Sequence, residues 1–200
     1  MYDIEKEERG IRMPKVKRML LRSGSLLIIV LAVLTWIYPF SFPSFYKSFD
    51  YTPDRDFTAD YKKDLNRFKK VYEKHADDST TRQTYAVLSF YEQDWVMQNK
   101  AVTINAGKLE QILDTTTRAR DKLLRLTVRE EYTQEARQDL LDSILNLSSF
   151  EEAIKDIQNS EWESRGDLER YFKNLQGSFH NSFHLFSAFY ETALKLKIQY

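Results

Sequence analysis

Two histidines, His180 and His184, stand four residues apart in the stretch GSFHNSFHLFSAFYE, and Glu191 closes it. Imidazoles one helical turn apart can chelate zinc or another divalent ion, and a carboxylate on the same face can add a third donor. No recognised catalytic signature surrounds them. The chain has no H-E-x-x-H run, no E-x-x-H pair of the di-iron type, no G-x-S-x-G and no glycine-rich phosphate loop. The one other histidine, His75, is far away in sequence. With no cysteine, thiolate catalysis, disulfides and cysteine-ligated metals are all excluded. His180, His184 and Glu191 are therefore candidate metal ligands. The favoured reading is a solvated or partner-facing histidine pair, with no catalytic residue and no cofactor expected.

What must position these side chains is a helix. At about 100° per residue, Leu168, Phe172, Leu175, Phe179, Phe183, Phe186 and Tyr190 cluster within about 40° of one direction. Measured from Phe179, His180 and His184 fall about 100° and 140° away, and Glu191 about 120°. The phenylalanines form a core stripe, and the three candidate ligands share its flank.

The same period runs through the preceding chain. All four prolines lie before residue 54, and Leu, Lys, Glu, Arg and Gln are dense after it. A helix beginning near Thr58 carries Phe57, Tyr61, Leu65, Phe68 and Tyr72 at spacings of three and four. HADDSTT supplies caps for a second helix bearing Tyr85, Leu88, Tyr91 and Trp95. NKAVTINAG reads as a break. A third helix follows with Leu109, Ile112, Thr116, Ala119, Leu123 and Leu126, a heptad-like alternation of the coiled-coil kind. A fourth, from about Gln134, carries Leu140, Leu141, Ile144, Leu145 and Leu147. A capping-box pattern at Ser148 and Ser149, with Glu151 and Glu152, predicts a kink or restart there. The expected fold is all-α: one N-terminal transmembrane helix, then an antiparallel bundle of four to five helices.

The membrane segment is GSLLIIVLAVLTWIYPFSF, uncharged from Ser25 to Phe42 and close to the roughly 20 apolar residues that cross a bilayer as a helix. Arg9, Arg12, Lys15, Lys17, Arg18 and Arg22 precede it, and no acidic residue lies among them. Positive-inside bias puts that side in the cytoplasm and the long remainder outside. The competing reading is a cleaved signal peptide, which the absence of an A-x-A-like site disfavours. The expected plan is a basic cytoplasmic tail over 1–22, a span over 23–42, an aromatic juxtamembrane linker over 43–56 and an extracytoplasmic helical domain over 57–200. Trp36, Tyr38, Phe45, Tyr46 and Phe49 are the expected membrane or partner interface.

Thirty basic and thirty acidic residues cancel, which excludes the strong positive field of a nucleic-acid binder. The acidic pairs Glu130–Glu131 and Glu151–Glu152, and the basic run RARDKLLRLTVRE, read as solvated helix surface. The expected function is that of a single-pass interaction protein of the cell membrane, scaffolding, regulating or assisting an envelope complex. Its expected partner is another membrane or envelope protein, or a second copy of the chain. The alternatives are a ligand-binding or sensory bundle acting through a membrane partner and, behind it, a metal-binding enzyme.

Overall fold

A computed structural model describes residues 15–128 and 132–198. Most of the expected basic tail and the Glu130–Glu131 pair lie outside the described residues. The described chain is mostly helical, with α1 (Lys15–Ile37), α2 (Arg55–Lys74), α3 (Ser79–Phe90), α4 (Asp94–Met97), α5 (Ala106–Leu126), α6 (Gln134–Asn159) and α7 (Arg165–Ile198). Two short strands, β1 (Ser48–Tyr51) and β2 (Val102–Asn105), interrupt this order.

Helix α1 stops where Pro39 forbids its continuation, since the residue before a proline is pushed out of the helical region. Among the described residues, Met19–Ile37 is the one helix long and apolar enough to cross a membrane, and none of it is buried.

Short polar side chains set the starts of the later helices. The Asp54 carboxylate accepts from the Phe57 amide, Asp78 from those of Thr80 and Thr81, Asn105 from Lys108, and Thr133 from Ala136. Each satisfies amide donors that the first helical turn leaves without a partner. His75 sits at the other end of α2, its Nδ1 2.9 Å from the Val71 carbonyl oxygen.

Helix α7, about 50 Å long at 1.5 Å per residue, runs through the core. It packs along α6, and α6 packs along α5. Phe179 meets the rings of Tyr61, Phe90, Tyr91, Trp95 and Phe150, joining residues from α2 to α6 around one side chain. The expected stripe on α7 is buried throughout, and Phe189, Ala193 and Leu194 extend it.

Several local expectations are corrected. NKAVTINAG contains β2, and the expected linker contains β1. The strands pair antiparallel with Phe49 opposite Ile104 and Tyr51 opposite Val102. Both strands are four residues long and far apart in sequence, so the alternation in each is too brief to read until the partner is present. Helix α3 ends at Phe90, with Tyr91 in the following turn and Trp95 in α4, while Tyr85 points outward at 70% exposure. Its buried residues are the expected Leu88 together with Thr80, Thr81, Thr84, Val87 and Phe90. The threonine hydroxyls meet those of Tyr132, Tyr190 and Tyr72, a polar pairing that hydrophobic spacing does not register.

Helix α6 runs unbroken past Ser148, whose hydroxyl donates back to the Ile144 carbonyl rather than capping a new helix. Leu147 and Phe150 are buried on either side of it, while Leu141 and Leu145 are exposed. Glu151 is also buried. It accepts from Arg120 at 2.8 Å, which ties α5 to α6 and removes both residues from the expected solvated surface.

Candidate functional site

The core stripe of α7 fixes where the histidines go. With Phe179 and Phe183 turned inward, His180 lies half-buried at the edge of α2 and His184 is exposed beside it. Their ring centroids are 4.3 Å apart. Phe57 and Tyr61 of α2 present edge-on contacts to His180 at 5.0 and 5.3 Å.

A third group faces them from α2. Asp64 Oδ2 stands 3.6 Å from His180 Nε2, beyond hydrogen-bond range. His180 Nε2 is buried and has no hydrogen-bond partner. One donor atom from each of Asp64, His180 and His184 can be chosen so that all three lie within 4.8 Å of one another. Burial, with the neighbouring His184, holds the His180 imidazole below its ordinary pKa, against the opposing pull of Asp64 and Asp60. The neutral ring, which can donate a lone pair, is thereby favoured.

Glu191, the third candidate named from the sequence, is exposed and is not one of these three groups. Glu191 shares a face with the histidines but lies about 10 Å further along the axis from His184, at 1.5 Å per residue. Asp64 comes from another helix, and only packing brings it in. A signal for it existed: Asp60 and Asp64 stand four apart on α2, next to the apolar positions Phe57 and Tyr61 that face α7.

A second feature lies where α1 meets the rest of the chain. Trp36 is exposed on its outer side, and the Arg165 guanidinium stacks 4.6 Å over its ring. The Arg165 Nε–H also donates to the Trp36 carbonyl oxygen. Tyr38 packs edge-on against Trp162 at 5.9 Å. Between α1 and the segment leading into β1 is a cleft of about 490 Å³, with Leu31, Thr35 and Trp36 on one wall and Phe45 and Tyr46 on the other. Phe45 and Tyr46 are largely exposed.

Phe49 departs from the expected interface. It is buried, packing 5.3 Å from Phe172 and 6.1 Å from Phe40, because its position in β1 turns it toward the core. Arg165 belongs to this junction although no local pattern singles it out, since its partner is 129 residues away.

Within the basic stretch on α5, Arg118 pairs with Asp114 at 2.8 Å, and Arg120 with Asp121 at 3.0 Å as well as with Glu151. Compared with known proteins, the chain matches no family model, no curated protein and no solved structure.

Proposed function

We propose that this chain is a single-pass membrane protein whose α1 spans the bilayer with its N-terminal side cytoplasmic. The remaining helices form an antiparallel bundle outside, and this domain scaffolds, regulates or assists an envelope complex through protein–protein contact. The observation that carries the reading is the wholly unburied apolar surface of Met19–Ile37 beside a core completed without it. In water that surface would far exceed the few hundred Å² of contiguous apolar patch that soluble proteins tolerate. Lipid is the partner that matches its length and composition.

The basic residues from Arg9 to Arg22, on the N-terminal side of the apolar run, support the orientation. The exposed Phe45 and Tyr46, next to the end of α1, are the groups best sited for a membrane-embedded or juxtamembrane partner. Phe49, which is buried, is left out of that proposed surface.

The test is protease treatment of intact cells or protoplasts expressing the full chain. Loss of the C-terminal domain, with the protein in the membrane fraction, is expected. A protected domain overturns the orientation, and a mature protein lacking α1 overturns the anchor in favour of a signal peptide. For the partner, in-cell crosslinking followed by mild-detergent purification is expected to recover a stoichiometric membrane or envelope protein. Replacing Phe45 and Tyr46 together by serine should weaken that complex without changing helicity. An unchanged complex removes these residues from the interface.

The cleft at the α1 junction favours one further reading, a ligand-binding or sensory domain acting through a membrane partner. Co-purification of a stoichiometric small molecule in place of a protein would select it.

A further inference from the structure

We propose that Asp64, His180 and His184 form a binding site for one divalent transition-metal ion of the zinc type, clamping α2 to α7. The inference stands independently of the membrane topology and of the partner.

Geometry is the first support. Nitrogen and oxygen donors at zinc-bond length from a tetrahedral ion are about 3.4 Å apart. Asp64 Oδ2 and His180 Nε2 stand at 3.6 Å, close to that separation and too far apart to satisfy each other directly. One donor atom from each of the three residues falls within 4.8 Å of the others, so a small side-chain rotation of the exposed His184 would close the set. A bare pair of helical histidines lacks such convergence.

The second support is the state of His180. Its Nε2 is buried and unpartnered, and leaving a buried polar atom unsatisfied costs free energy. A metal ion is a partner for that lone pair. Phe57 and Tyr61 pack against the ring and keep it directed at the gap between the helices. Asp64 brings one negative charge to a dipositive ion, and Asp60 lies near enough to act electrostatically on His180.

The donor set decides the class of ion. Two imidazole nitrogens and one carboxylate suit Zn²⁺, Co²⁺ or Ni²⁺, whereas Ca²⁺ and Mg²⁺ require mostly oxygen donors. Three protein ligands leave one tetrahedral position for water on the His184 side, where the site is open.

The experiment uses the full chain in detergent, purified without a histidine tag and stripped with a chelator. Titration with Co²⁺, read by the visible absorption of tetrahedral cobalt, is expected to saturate at one ion per chain and to be reversed by Zn²⁺. Zn²⁺ should raise the unfolding temperature, and Ca²⁺ should not. His184→Ala, a change at an exposed side chain that leaves the fold intact by circular dichroism, should weaken Co²⁺ binding by at least about tenfold, the scale already seen for loss of a mere outer-shell partner. Asp64→Asn should weaken it too, and Glu191→Gln should leave it unchanged. Absence of saturable binding, or unchanged binding in both His184→Ala and Asp64→Asn, overturns the site. Weakening by Glu191→Gln alone overturns the ligand set.

Discussion

Five tyrosine hydroxyls hold the interior together as polar points within an aromatic core. Tyr51 donates to Gln176 Oε1 at 2.8 Å, Tyr61 to the Tyr91 carbonyl at 2.7 Å, and Tyr91 to the Ser182 carbonyl at 3.0 Å. Tyr72 donates to the Thr81 carbonyl, and Tyr190 shares a hydrogen bond with the Thr81 hydroxyl. Burial raises the pKa of every one of them, that of Tyr72 to about 12. In the unfolded chain each ionises near 10. Above that pH the unfolded state loses protons that the folded state keeps, so stability falls as pH rises from 10 toward the folded values. Cooperative alkaline unfolding is expected, with phenolate absorbance and helicity changing together. Phenolate appearing near pH 10 while the helices persist would contradict the burial of these groups. At Tyr51 alone, Tyr51→Phe leaves the buried Gln176 carbonyl oxygen without its donor. This should cost about 1–3 kcal/mol in chemical denaturation.

Helix α6 shows how packing sorts leucines that look alike in sequence. Leu140 and Leu147 are fully buried, whereas Leu141 and Leu145 stand 46% and 64% exposed. Leu147→Ala should cost about 2–5 kcal/mol, since it removes buried volume. Leu145→Ala should stay within about 0.5 kcal/mol. Equal losses in denaturant unfolding would mean that Leu145 is covered in the folded protein. The ribbon of β1 and β2 follows the same logic at another scale. Two four-residue strands do not persist alone, and here Phe49, Tyr51 and Ile104 bury one face against the helices while Thr103 donates to Asp50 across the other at 2.7 Å.

Across the whole molecule, α1 is joined to the start of α7 by Arg165, which both stacks on Trp36 and donates to its carbonyl. Contacts of this kind at exposed positions contribute little to global stability, about 0.5–1 kcal/mol; their expected effect is to restrict the angle between α1 and α7. Because the chain lacks cysteine, paired spin labels can be introduced through Ile29→Cys and Glu169→Cys without background. A narrow distance distribution is expected, and Arg165→Ala should broaden it while leaving the unfolding midpoint within about 0.5 kcal/mol. An unbroadened distribution would mean that other contacts fix the junction.

The sequence by itself determined the helical character, the apolar segment before Pro39 and the core stripe of α7, because each is a local periodicity or a local composition. The buried face of α5, from Leu109 to Leu126, was legible for the same reason, residue by residue. Only tertiary structure decided what depends on distant partners. It paired β1 with β2 and so moved Phe49 from the expected surface into the core. It turned a threonine face of α3 inward because tyrosine hydroxyls from α2, α7 and the segment before α6 meet it there. It also exchanged Glu191 for Asp64 beside the histidines. A shared helical face fixes direction around an axis, whereas a ligand set requires closeness along it, and here closeness came from the packing of α2 against α7.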